Sequence, residues 1–137
     1  MPLYLDYSAT TPVHSKVLEK MIHVYEEEFG NAGSRTHAFG QRANQIVTEA
    51  RRSLATLLAV DPADIIFTSG ATESNNLAIL GLARWGADQG KRHIVSTTIE
   101  HKAVLEPLVY LQKQGFEVEF VPVNESGRID AAEVCRR

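Results

Sequence analysis

A chain of 137 residues, 44% hydrophobic and 23% charged, lies within the size range of one soluble globular domain and can build one core. Its net charge of −3, with both signs mixed along the chain, offers no basic stripe for nucleic acid and no polybasic patch for anionic lipid. No apolar run approaches the roughly 18 residues of a membrane span, and a single cysteine, Cys135, excludes an internal disulfide framework and a paired-cysteine zinc site.

The start, Met1-Pro2-Leu3-Tyr4, lacks the basic and apolar regions of a secretory signal, so a cytoplasmic protein is expected. Leu3-Tyr4-Leu5 reads as a short extended strand, ended by Asp6 and the Ser8-Ala9-Thr10-Thr11-Pro12 turn. Val17, Leu18, Met21, Ile22 and Tyr25 recur at helical spacing and predict a helix over 15–28. A loop at 30–34 follows. From about His37 the positions Ile46, Val47, Ala50, Leu54, Leu57 and Leu58 keep the helical period, and this second helix ends near Ala59. Asp61-Pro62 is a turn, and Ile65-Ile66-Phe67 a short β-branched and aromatic strand. A third helix carries Leu77, Ile79, Leu80, Leu82, Ala83 and Trp85 until Gly86 and Gly90 close it. A strand over 93–98, a helix over about 106–114 with Pro107 in its first turn and Gly115 just past its end, and an alternating strand over 117–123 complete the run. Asn124 to Gly127 forms a turn. Strands separated by helices of ten or more residues predict an α/β fold with a mainly parallel sheet, its ligands beyond the carboxyl ends of the strands. Asp130 and Glu133 announce a last helix of which only seven residues follow Asp130, the pattern of a chain interrupted inside a domain.

Residues 67–76, Phe-Thr-Ser-Gly-Ala-Thr-Glu-Ser-Asn-Asn, carry the most chemistry. The first amides of a helix lack intrahelical partners and carry the positive end of its dipole, so they favour an anion. Gly70 would let the backbone turn tightly, Ala71 is small enough for a phosphate to approach the main chain, and Thr68, Ser69, Thr72 and Ser74 offer hydroxyls. The same residues would serve an ordinary capped helix, because Ser and Thr are preferred caps in any case. His101, just past the 93–98 strand, reads by itself as a solvated turn histidine rather than a site, because the sequence shows no partner orienting it.

Four segments taken together resemble the N-terminal part of the pyridoxal-phosphate-dependent cysteine desulfurases of the NifS/IscS kind, within the class V aminotransferase superfamily. They are residues 4–12 (Tyr-Leu-Asp-Tyr-Ser-Ala-Thr-Thr-Pro), Phe29-Gly30-Asn31, residues 67–76, and Glu100-His101-Lys102-Ala103-Val104-Leu105. The likeness spans essentially the whole chain. It departs at His14-Ser15, where the family often has Asp-Pro, and at Ala32-Gly33, where it often has Pro-Ser or Pro-Ala.

The resemblance implies the first part of the large cofactor-binding domain of a fold-type-I, aspartate-aminotransferase-like transferase, over 15–137. Residues 1–14 would belong to the small domain. The related topology sets the 65–67 strand apart from those at 93 and 118, with strands from elsewhere in the family's chain between them, so the sheet is expected to be incomplete. Full-length members are homodimers that take sulfur from L-cysteine, leave alanine, and pass a persulfide to acceptor or scaffold proteins for iron–sulfur cluster and thio-cofactor assembly. Pyridoxal 5′-phosphate is the implied cofactor. The backbone at Ala71 and Thr72, with the Thr72 hydroxyl, would bind its phosphate, and His101 would stack on its ring and help move protons. His37 also matches a family position, but a loop role is the simpler reading; His14, His23 and His93 match none. Lys16, Lys20, Lys91, Lys102 and Lys113 match no Schiff-base position, and Cys135 does not match the persulfide cysteine, so the chain alone is expected to be inactive. Rival readings are a selenocysteine lyase, a phosphoserine aminotransferase, or a non-catalytic interaction piece.

Overall fold

The computed structural model describes residues 3–137. Its internal contacts divide the chain into two units, one up to Ile66 and one from Phe67 onward.

In the first unit, residues 3–5 form no strand and residues 7–9 form a turn, which corrects the expected strand there; Met1 and Pro2 lie outside the described residues. Local bonds hold this segment, the Ala9 amide and the Tyr4 hydroxyl both donating to the Asp6 carbonyl at 3.1 and 3.0 Å. Helix α1 spans Ser15–Glu27, matching its spacing. The apolar stripe that predicted it is not covered, for no α1 residue is buried. Helix α2 spans Ala38–Leu58 and buries only the small residues Gly40, Ala43 and Ala55. Its start is a close-packed corner: a Cβ on Gly30 would stand 2.1 Å from the Phe39 carbonyl oxygen, and one on Gly40 would stand 2.2 Å from that of Ser34. Phe29 and Phe39 stack with ring centroids 5.7 Å apart, and the Arg42 guanidinium donates to Glu28 at 2.8 Å. After a 3₁₀ turn, Pro62–Asp64, capped by Asp61, the chain is extended at Ile65 but forms no strand over 65–67. This corrects the strand expected over 65–67. The backbone has the extended conformation without a ladder, and the Ile65 carbonyl accepts from the Arg51 guanidinium instead.

The second unit runs α3 (Ala71–Asp88), β1 (His93–Thr97), α4 (Lys102–Lys113), β2 (Glu117–Val121) and α5 (Ala131–Arg136). β1 and β2 pair in parallel, His93 opposite Glu117 and Thr97 opposite Val121, with α4 as the crossover. The α/β alternation and parallel pairing are those predicted, and the sheet among the described residues has two strands. Its core joins Ala83, Leu108 and Leu111 to Ile79, Ile94, Val104, Phe116 and Phe120. Gly90 and Gly115, at φ +74° and +83°, end α3 and α4 in the left-handed conformation a side chain would resist. At α4 the following Phe116 amide returns to the Leu111 carbonyl at 3.1 Å, the bond pattern expected for that ending.

Helix α4 begins four residues before its predicted start. The reason is His101, whose imidazole Nδ1 accepts the Ala103 amide at 3.1 Å and so caps a turn that no Ser, Thr, Asp or Asn announces. Pro107 therefore lies inside the helix and not in its first turn.

Candidate functional site

The site is built from two helix starts in the second unit. Gly70 precedes α3 in an extended conformation, φ 160° and ψ −174°, with nothing within 4 Å of the place a Cβ would take. Its role is thus not the tight turn expected of it. With no side chain it supplies no cap, whereas side chains of His14, His37, His101 and Asp130 cap the other four α-helices. Among the described residues the amides of Ala71 and Thr72 donate to nothing, and they carry the positive end of an 18-residue helix.

The hydroxyls around this turn divide by task. Thr68 and Ser74 bond each other at 2.7 Å, and Thr68 also donates to the Gly70 carbonyl at 3.2 Å. Ser69 gives its amide and its hydroxyl to Glu73 Oε2, at 2.6 and 2.7 Å. Those two donors, the Ser69 backbone amide foremost, hold the Glu73 carboxyl below its ordinary range, against the smaller opposing effect of burial. Of the four hydroxyls read from the sequence as ligands, three therefore tie the loop to the helix. The Thr72 hydroxyl alone is left open.

His101 caps α4. Because its Nδ1 accepts, the neutral ring carries its proton on Nε2. Thr72 and His101 line one recess of about 320 Å³, together with Asn76, Lys102, Glu106 and Tyr110. The structure thus brings together two residues 29 positions apart in sequence. The volume is near the lower bound of small-molecule sites, roughly 300–1,000 Å³. The recess therefore brings the open amide and hydroxyl of Thr72, donors of the kind an anion takes, together with His101.

Asn76 and Glu73 were not singled out from the sequence. Asn76 had a signal, since it lies one helical turn after Thr72 and on the same face. His37 and His14 prove to be caps, their Nδ1 atoms accepting from Gly40 and Lys16. His93 bonds Glu119 at 2.9 Å on the sheet, and Arg137 bonds the other oxygen of Glu119 at 2.7 Å. These charges are balanced within the protein. Cys135 is exposed on α5. No helix among the described residues is long and apolar enough to cross a membrane.

An open helix start thus shares a recess with a second helix that starts beyond the carboxyl end of a parallel strand, the α/β arrangement of this unit. The chain belongs to the aminotransferase class-V family, which it matches over residues 3–136. It is 52% identical over 136 residues to the cysteine desulfurase IscS of Stutzerimonas stutzeri (strain A1501), covering 98% of this chain and 33% of that protein. Among solved structures it superimposes on a NifS-like protein with a TM-score of 0.87 at 44% identity, covering 97% of this chain and 36% of the other. It matches SspA in complex with cysteine with a TM-score of 0.83 at 40% identity, covering 96% and 37%. The chain spans about a third of the length of the curated relatives it matches, and its architecture is that of the N-terminal part of a fold-type-I domain.

Proposed function

We propose that this chain supplies the phosphate-binding end and one face of the cofactor site in a pyridoxal-phosphate-dependent cysteine desulfurase. The reading rests on one observation above the rest: Thr72, whose amide and hydroxyl are unbonded and which follows the unbonded amide of Ala71, lines one recess with His101. In this role the two amides and the Thr72 hydroxyl hold the phosphate, and the α3 dipole favours its charge. His101 lies against the pyridine ring, its Nε2 free to hold or pass a proton while Nδ1 stays on the Ala103 amide. The bound cofactor supplies the electron sink for cleavage next to the amino-acid carbon, and the protein orients it.

The substrate on this reading is L-cysteine, converted to alanine with the sulfur kept as an enzyme persulfide for acceptor proteins. The working form is a cytoplasmic homodimer, with residues 1–14 in the small domain and 15–137 in the large one. None of Lys16, Lys20, Lys91, Lys102 or Lys113 holds the Schiff-base position, so the 137-residue chain binds phosphate without turning over cysteine.

The test is an amide-resolved NMR titration of the chain with pyridoxal phosphate, inorganic phosphate and pyridoxal. The first two should move the 71 and 72 amides and pyridoxal should not. Thr72→Ala should weaken the first two by about 10-fold or more, the worth of a hydrogen bond to a charged group. Equal binding by Thr72→Ala would sink the cradle. A stoichiometric borohydride-trapped adduct at Lys102, or sulfur release from cysteine, would overturn the assignment of roles.

A further inference from the structure

Pro107 lies inside α4, where a proline has no N–H to give the carbonyl four residues back, that of Ala103. Ala103 is only 6% exposed, so water is a poor substitute there. The missing donor comes from another helix. Asn76 of α3 gives its side-chain Nδ2 to the Ala103 carbonyl at 3.4 Å and to the Thr72 carbonyl at 2.9 Å. Both partners are acceptors, so the amide must present its nitrogen. One –NH₂ group therefore touches the turn that carries Thr72 and the turn capped by His101, whose Nδ1 takes the N–H of the same Ala103.

We infer that Asn76 is a positioning residue: it clamps the His101-capped turn of α4 to the anion-binding turn of α3, replacing the hydrogen bond that Pro107 denies to Ala103. The residue type follows from the task. An aspartate has the same shape but offers only acceptors to two carbonyls, a leucine fills the space with no donor, and a serine is too short to span both. The functional meaning of the clamp rests on the reading proposed above, while its existence does not.

The test uses the 137-residue chain with Asn76→Asp, Asn76→Leu, Pro107→Ala, and each Asn76 variant combined with Pro107→Ala. Three readouts apply: hydrogen exchange of the Ala103 amide, the tautomer of the His101 ring from its nitrogen couplings, and affinity for pyridoxal phosphate. Loss of Asn76 should speed Ala103 exchange by about tenfold, the weight of one net hydrogen bond, and release His101 from its single tautomer. Pro107→Ala restores a backbone donor to the Ala103 carbonyl, so it should return both readouts toward wild type in the Asn76 variants and change them little alone. Unchanged Ala103 exchange and His101 tautomer in both Asn76 variants would overturn the clamp, as would a Pro107→Ala gain that is the same with and without Asn76. If an Asn76 variant loses helix signal, the same comparison is made on folding, and an equal gain again refutes. Affinity separates the two claims: normal clamp readouts with no phosphate binding leave the clamp and remove the cradle. A Thr72 effect on binding without any Asn76 effect on the ring does the reverse.

Discussion

Truncating Leu108 to alanine tests whether the core of the second unit lies where the packing places it. Leu108 is 2% exposed and sits among Ala83, Leu111 and their partly buried neighbours. Large-to-small changes at such sites cost about 2–5 kcal/mol, the lost transfer energy plus the cavity left behind. Against a stability of roughly 0.05–0.15 kcal/mol per residue, a unit of this size holds on the order of 4–10 kcal/mol, so the loss removes a large part of it. At about 4–8 °C per kcal/mol for small domains, a loss of 3 kcal/mol lowers the melting midpoint by on the order of 15 °C. Urea and thermal unfolding can be followed by Trp85, the one tryptophan of the chain, which lies on α3 in the same unit. Val109, the next residue, is 43% exposed, and its change to alanine is the control, with an expected cost within about 0.5 kcal/mol. A Leu108→Ala cost below about 1 kcal/mol, or equal costs for the two variants, would refute the placement of the core.

Two glycines in helices should respond in opposite senses. Gly81→Ala, with nothing within 4 Å of its new Cβ, should gain up to about 1 kcal/mol from helix propensity, while Gly40→Ala, whose Cβ meets the Ser34 carbonyl oxygen at 2.2 Å, should lose about 1–3 kcal/mol. Urea midpoints decide, and a stabilising Gly40→Ala would show that the corner is not closed. The Glu119 carboxyl is held below its ordinary range by its hydrogen bonds to Arg137 first and His93 second. Its folded-state pKa is depressed, so its contribution is present above the unfolded value and is lost as pH falls through the folded one. The stability difference between wild type and Glu119→Gln should therefore be constant near neutrality and shrink below about pH 4.3, the ordinary glutamate range. Parallel pH profiles from 7 to 3 would remove that ion pair.

Helices were legible because their signals are local. The period of Ile46, Val47, Ala50, Leu54 and Leu58 finds α2 whether or not anything covers that face. Burial was less legible for the same reason: Leu57 is 80% and Leu58 61% exposed, while the residues α2 buries are small. Ile65-Ile66-Phe67 has strand composition, but a strand needs a ladder, and the non-local partner is not encoded in three residues. The start of α4 was misplaced because the cap is a histidine and because Pro107 argued for a boundary that the Asn76 amide makes unnecessary. At the site, residue types located the turn, and only geometry could tell tying hydroxyls from an open one.

That distinction bears on how the turn could bind. A flexible loop rich in hydroxyls would have to order itself around an anion and would lose affinity in doing so. Here the Thr68–Ser74 and Ser69–Glu73 bonds already close the loop onto the first turn of α3. The negative charge in that turn is drawn to Ser69, two residues before Ala71, so it does not occupy the amides of Ala71 and Thr72. Four polar side chains are thus consumed in tying the loop to the helix, and that frame holds the open backbone amides of Ala71 and Thr72 before any ligand arrives. The same economy of donors reaches α4 through Asn76, which spends both of its hydrogens on carbonyls of the two turns that meet at the recess. An anion entering there would meet donors whose orientation is set by the protein's own bonds, the condition under which a few hydrogen bonds can be selective.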